Sequence, residues 1–502
     1  MKKTLSIIPR PNGSVSLTNG TFLLPDKLDI LIPSMQYFFA ATQLATLLRS
    51  SFGTVCSVGT GKKNAAIQFI VSDDAQTTDS YHLRVFPGGC SITCKTPGGA
   101  FYAIQTLRQL ADCPSHSFPC CEIDDYPAFF WRGFMLDATR SFCPVPELLR
   151  LMDLLSRLKL NVFHWHLSDD QGWRIAIGAY PLLTSSDAPF YTKKQIKQVV
   201  AYASQRNITI VPEIDMPGHF MAALVGYPQF SCTGGPFSVP KGGGIFSELL
   251  CMGNDEALVF ARTVIAEICD LFPGPYIHLG GDEIPLTRWK TCPKCQKRIK
   301  ELQLQQEEGL LSWFTNQMAV SAREKGKRVI VWNDSVQESY DPSIACQIWS
   351  PLDFGRQGVL AGRICIMSDY FHTYLDLPHS MVTVHDAYQY GHSIQNLAGK
   401  KYTVPGSEFL LWTEKVYTRK QRDKHMFPRL VAGSEALWTE SGLLDWKQFR
   451  KNLKGGSKKL FPSGVSMASR LFWNPPVWYS GLRKKIQRMR VRHHSRKSGI
   501  VQ

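Results

Sequence analysis

Asn161-Val-Phe-His-Trp-His-Leu167 is a short run of β-branched and aromatic residues, and Ser168-Asp169-Asp170 follows it at once. A run of this length, closed by polar residues, reads as a buried strand. Seven comparable runs stand at Trp131–Leu136, Ile208–Ile214, Tyr276–Leu279, Val329–Trp332, Cys346–Trp349, Ile364–Met367 and Leu430–Trp438. Amphipathic segments separate several of them. Glu147–Leu160 and Glu256–Leu271 are two; a third opens on a Thr192/Gln195 capping box and puts Ile196, Val199, Val200 and Ala203 on one face. Eight strands alternating with helices predict an α/β fold, a (β/α)8 TIM-type barrel longer than the usual 250 or so residues, with the excess in loops.

Ahead of the barrel, strand-like runs at Ala65–Val71, Tyr81–Phe86 and Ser91–Thr96 alternate with helical patterns at Gln36–Arg49 and Ala100–Leu110. They predict a small α+β accessory domain over residues 1–125. Asp124-Asp125-Tyr126-Pro127 reads as the connection, because Pro127 disfavours helix at the residue before it. The barrel is expected over 126–465 and a basic tail over 466–502. Of the formal charge of +16, fifteen units fall between Trp446 and Gln502, where no Asp or Glu offsets them, leaving +1 for everything before. No nucleic-acid partner is therefore expected for the folded part. The tail reads as a disordered, dispensable end whose charge suits an anionic surface.

The apolar stretch Leu5–Ile8 is too short for an export signal, and no run reaches the roughly 18 apolar residues of a spanning helix. The fourteen Cys show no short disulfide-framework spacing, and Cys269 and Cys365 sit inside apolar segments. They read as reduced thiols, and the expected location is cytoplasmic. Cys292-Pro-Lys-Cys295 is a lone CxxC with no second pair in reach and reads as a loop rather than a zinc site. No metal and no other cofactor is expected.

Barrel enzymes carry their reactive groups where strands end and βα loops begin. In this chain Asp137 and Arg140 follow the first run; His164, His166, Asp169 and Asp170 end or follow the second; Glu213, Asp215 and His219 the third; His278, Asp282 and Glu283 the fourth. Trp332, Trp349 and Trp438 close the fifth, sixth and eighth, and indole faces match the C–H faces of a pyranose. In Tyr276-Ile-His-Leu-Gly-Gly-Asp-Glu283, two glycines allow a tight turn before two adjacent acids. Confined together, one acid holds a proton while the other stays charged, a division suited to glycosidic cleavage. A bare Gly-Gly-Asp-Glu equally describes a solvated helix start. Arg140, Asp169, Asp376 and Glu440 add charged groups suited to sugar hydroxyls.

Trp131-Arg-Gly-Phe-Met-Leu-Asp-Ala-Thr-Arg140, Asn161–Arg174, Val211-Pro-Glu-Ile-Asp-Met-Pro-Gly-His219 and His278–Glu283 together resemble glycoside hydrolase family 20, the β-N-acetylhexosaminidases. The resemblance runs from about Leu5 to about Val465 and includes Gly99–Gln109, at the end of that family's accessory domain. It implies an exo-acting enzyme that removes terminal GlcNAc or GalNAc from a glycan or amino-sugar oligosaccharide, with the substrate's own acetamido oxygen as nucleophile. By resemblance Glu283 is the general acid and base, and Asp282 orients the acetamido group. Tyr374 hydrogen-bonds its oxygen, and Trp332, Trp349 and Trp438 wall the pocket. Arg140, Asp376 and Glu440 grip hydroxyls, and Asp169 and His219 support the acid. Asn333-Asp334 stands where the family commonly has an acidic pair, and nothing after Ser466 matches. Two other functions fit parts of the pattern. A metal-dependent barrel hydrolase would use His164, His166, His219 and Asp282; a non-catalytic sugar-binding barrel would keep the pocket without its chemistry.

Overall fold

The computed structural model describes residues 5–498 except 62–63, 75, 186–187, 351–359, 398–402 and 462–463. Eight parallel strands close into a barrel in sequence order: β1 (Trp131–Asp137), β2 (Val162–His166), β3 (Thr209–Glu213), β4 (Tyr276–His278), β5 (Arg328–Trp332), β6 (Ala345–Ile348), β7 (Cys365–Met367) and β8 (Gly406–Leu411). The capping box is present, the Thr192 hydroxyl accepting from the Gln195 N–H at the start of the helix Lys193–Gln205.

The eighth strand is a correction. The run Leu430–Trp438 lies in a helix, Arg429–Trp438, every residue of which is buried. A helix covered on all sides loses its polar face, so its 3.6-residue period disappears into a continuous apolar run that length alone does not separate from a strand.

Alternate side chains of each strand point into the barrel. Trp131, Val162, Val211, Ile330, Ala345 and Ile366 pack into one apolar layer across its N-terminal end. Two residues further along come Gly133, His164, Glu213 and Gln347; His164 and Gln347 bond Glu408 of β8, and His164 also meets Glu213. The barrel's middle is therefore polar and fully buried. A Cβ on Gly133 would lie 2.4 Å from Glu408 Cγ, so only glycine leaves room for that side chain. Charged groups persist at such depth only when paired, and these are.

The accessory domain is a seven-stranded mixed sheet, with the helices Phe38–Phe52 and Pro97–Leu110 contributing to its core. Its last strand ends at Asp125, which locks the two units together. Asp125 Oδ2 accepts from Lys159 Nζ at 2.7 Å and from Tyr81 Oη at 2.6 Å, and Asp125 Oδ1 from Trp438 Nε1 at 2.8 Å. The fully buried Lys159 ammonium lies 4.3 Å from the centre of the Trp438 ring, and the Arg132 guanidinium 5.0 Å. The indole is thus a cation-binding wedge between domains.

The expected disordered tail is also corrected. Met467 and Trp473 pack on the barrel core, and Val477–Ser498 is a helix. Lys484 Nζ meets Asp386 Oδ1 at 2.8 Å, Gln487 Nε2 donates to Tyr370 Oη at 3.0 Å, and Arg488 lies over Phe371. Net charge registers the cations but not the apolar anchors between them. Residues 499–502 lie outside the described residues. Among the described residues no helix is long and apolar enough to cross a membrane.

Trp438→Ala should therefore cost about 3–5 kcal/mol of stability in denaturant titrations and leave the substrate KM unchanged; a pocket-wall indole would do the opposite.

Candidate active site

β4 ends at His278, and the chain then turns back on itself through Gly280 (φ +61°) and Gly281 (φ +84°). A Cβ on Gly280 would lie 2.0 Å from Asp215 Oδ1, so the position demands glycine for space as well as for conformation. Glu283 is also left-handed, at φ +49°, which costs a side-chain-bearing residue of order 1 kcal/mol and persists where the surroundings enforce it. Its N–H is held by Asp334 Oδ2 at 2.9 Å. With this backbone both successive acids line one pocket instead of pointing apart.

Behind them runs a buried ladder of carboxyl and imidazole groups. Glu408 Oε2 meets His164 Nδ1 at 2.9 Å, and His164 Nε2 meets Glu213 Oε2 at 3.0 Å. The same Glu213 oxygen meets His166 Nδ1, and His166 Nε2 meets Asp169 Oδ2 at 2.7 Å. Asp169 Oδ1 lies 3.2 Å from His219 Nδ1, and His219 Nε2 faces Glu283 Oε2 at 3.7 Å and Asp282 Oδ2 at 4.0 Å. Arg140 Nη2 binds Asp169 Oδ2 at 2.7 Å. Burial opposes ionisation of Asp169, yet Arg140 first and then His219 hold its pKa far below the carboxylate range. Burial likewise disfavours charge on His219, but Asp169 outweighs it and raises the imidazole well above its ordinary value. His219 is therefore a cation facing the acid pair.

Asp282 is pushed up to about 6, first by burial and then by Glu283 and Glu213, against the pull of His219. Burial also drives Asp215, beside it, well above the carboxylate range, so Asp215 holds a proton it can donate to Asp282. The other oxygen, Asp282 Oδ1, is buried without a hydrogen-bond partner among the described residues. So is Asp376 Oδ1, whose carboxyl burial pushes up to about 8. Two orphaned acceptors in one pocket await donors from a ligand, since leaving them unmatched is costly.

The pocket encloses about 230 Å3, below the 300–1,000 Å3 usual for drug-sized ligands. Of the residues expected from sequence, Arg140, Asp169, His219, Asp282, Glu283, Trp349, Tyr374 and Asp376 line it. Trp332 lies beneath, fully buried, its Nε1 donating to Glu213 Oε1 at 2.8 Å, and it packs in one cluster with Tyr374 and Trp349. Trp438 and Glu440 do not reach the site: Trp438 is the interdomain wedge, and Glu440 Oε1 accepts from Tyr126 Oη at 3.0 Å. Their places are taken by Trp412 and Glu414, directly after β8. Trp-Thr-Glu occurs twice, at 412–414 and 438–440, and taking the helix for the eighth strand selected the wrong copy. The signal was the run Phe409–Trp412 opened by Pro405-Gly406. Tyr370, which also lines the pocket, carried no signal of its own. The rival metal set does not converge. His164 gathers with Glu213 and His278, whereas His219 gathers with Asp169 and Asp170 or with Asp215 and Asp282.

Residues 129–441 match the profile of the glycosyl hydrolase family 20 catalytic domain, and residues 4–126 match that family's domain 2. The chain belongs to glycosyl hydrolase family 20. It is 33% identical to a β-hexosaminidase of Porphyromonas gingivalis over 92% of its own length, and spans 64% of that relative. It is 30% identical to a β-hexosaminidase of Akkermansia muciniphila over 75% of its length and 82% of the relative's. The solved family 20 exo-β-N-acetylglucosaminidase of Vibrio harveyi, in complex with N-acetylglucosamine, superposes with a TM-score of 0.83 at 27% identity, covering 94% of this chain and 79% of that one.

Asn333, directly after Trp332, accepts the Trp349 N–H on its Oδ1 at 2.8 Å. Asp334 Oδ1 accepts from Trp349 Nε1 at 3.0 Å. The pair thus fixes one pocket wall and the Glu283 backbone together.

Since Asp282 is anionic only above its raised pKa, kcat/KM should fall as the pH drops through about 6. That limb should vanish from the residual activity of Asp282→Asn. Glu414→Gln should raise KM severalfold, whereas Glu440→Gln should leave it unchanged, both read from initial rates.

Proposed function

We propose that this family 20 glycosidase removes a terminal, non-reducing β-linked N-acetylhexosamine, GlcNAc or GalNAc, from a glycan or amino-sugar oligosaccharide by substrate-assisted catalysis within the barrel, 126–465. The observation that carries this is the buried Asp282 Oδ1, without a hydrogen-bond partner among the described residues, beside Glu283 and Tyr374. A plain glycoside offers that acceptor no N–H at C2; an acetamido group does.

Glu283 gives its proton to the glycosidic oxygen as the C1–O bond breaks, and the acetamido carbonyl oxygen bonds to C1 from the opposite face. Tyr374 donates to that oxygen and sets its approach. Asp282 accepts from the acetamido N–H and balances the positive charge of the resulting oxazolinium ion. Water then attacks C1, passes its proton to Glu283 and releases the acetamide, so two inversions retain the β configuration. His219, charged by Asp169, faces the Glu283 carboxyl at 3.7 Å and holds it in position. Trp349 and Trp412 offer apolar walls, while Arg140, Asp376 and Glu414 fit the hydroxyls of a single ring. A pocket of one-ring size supports exo action.

Aryl N-acetylglucosaminides and N-acetylgalactosaminides should be cleaved and the matching glucosides and galactosides should not. Asp282→Asn should lose roughly 10²–10³ in kcat, and no glycosyl-enzyme adduct should be trapped on residue 282. Plain glucosides cleaved as fast as acetylated ones would refute the assignment.

A further inference from the structure

Cys292-Pro-Lys-Cys295 is not alone in space. Cys292 precedes the helix Pro293–Glu301, in the long segment after β4, and Cys295 lies in its first turn. The loop between β3 and the helix Asp255–Leu271 brings Cys232 and Cys251 against them. Cys232 Sγ lies 3.7 Å from Cys295 Sγ, and Cys251 Sγ lies 3.7 Å from both Cys292 Sγ and Cys295 Sγ; all four sulfurs fall within 4.8 Å of one another. All four are free thiols, and Cys251, Cys292 and Cys295 are buried.

A zinc ion bound by four thiolates at about 2.3 Å sets the sulfurs of a regular tetrahedron about 3.8 Å apart. The three shortest separations match that edge. The backbone is shaped for the same end: Gly253 approaches the Cys292–Cys295 turn so closely that a Cβ would lie 2.1 Å from the Lys294 carbonyl carbon. The Gly253 N–H hydrogen-bonds Cys251 and Cys295, as an amide near a metal-bound thiolate does. Mere packing of apolar thiols would require neither the convergence of two distant loops nor an amide shared between two sulfurs.

We propose that Cys232, Cys251, Cys292 and Cys295 form a closed, structural zinc site of four thiolates. All four positions are filled by protein, so the ion takes no part in the chemistry. Its role is to clip two segments together. One carries His219, and the other carries Asp282 and Glu283. Trp289 Nε1 donates to Leu250 O at 3.0 Å across the two segments, and within the first of them Leu250 N–H donates to Pro217 O at 3.0 Å, next to the turn that carries His219. Zinc would hold the acid pair's loop to its imidazole's loop from outside the pocket.

The full-length protein, purified under reducing conditions without added metal, should carry one zinc per chain by elemental mass spectrometry. A mercurial should release that zinc, detected with a chromogenic chelator, as four thiols are blocked. A strong chelator should lower Tm, and re-addition of zinc should restore it. The double variant Cys292→Ser, Cys295→Ser should bind no zinc and melt earlier; if it does not fold, the mercurial titration of the unmodified protein decides alone. Substoichiometric metal with all four thiols freely titratable, a disulfide among them by peptide mapping, or iron in place of zinc would each overturn the proposal.

Discussion

Glu408, His164, Glu213, His166, Asp169 and His219 form a continuous column of carboxyl and imidazole groups rising through the barrel to the acid pair. Each carboxyl is tolerated at full burial because an imidazole touches it, and each imidazole is charged or oriented by its carboxyls. Removal of one rung strands its neighbours in a low-dielectric core. The small residue at Gly133 and the Trp332 indole bonded to Glu213 exist around this column. So does the orientation of the rim. Arg140, paired to Asp169, reaches the pocket as the column's last countercharge.

The chemistry follows from where the column stops. A cationic His219 lies close to both Asp282 and Glu283, and their separate surroundings split their tasks. Asp282 is drawn inward beside a protonated Asp215, while Glu283 is turned outward by its left-handed backbone and tied to Asp334. Neighbouring acids on an ordinary strand would face opposite ways. The double-glycine turn brings both to one sugar ring. The four-cysteine cluster joins the same two segments away from the pocket, whose lining includes none of the four.

Much of this was legible in the chain. Seven barrel strands and the rim carboxylates announced themselves by short apolar runs ending in polar residues, because strands buried on both faces allow no alternation. Glu283, Asp282, His219, Asp169 and Asp376 could be singled out by residue type and place, whereas Tyr374 was named only through the resemblance to family 20. What failed did so for physical reasons. The buried helix ending at Trp438 imitates a strand, and its Trp-Thr-Glu duplicates the true one after β8. Cys232 and Cys251 are distant in sequence from Cys292 and join it only once β3 and β4 lie side by side. Nothing in the tail's composition showed that Met467 and Trp473 would pack on the barrel core.

The central claim is that the column delivers a fixed positive charge to the acid pair. Imidazole ¹⁵N chemical shifts of the resting enzyme test it directly, with His219 assigned by comparison with His219→Gln. The account predicts a doubly protonated His219 throughout the neutral range. A His219 ring that is a neutral single tautomer at pH 7, titrating near the ordinary histidine value of about 6.5, would contradict it.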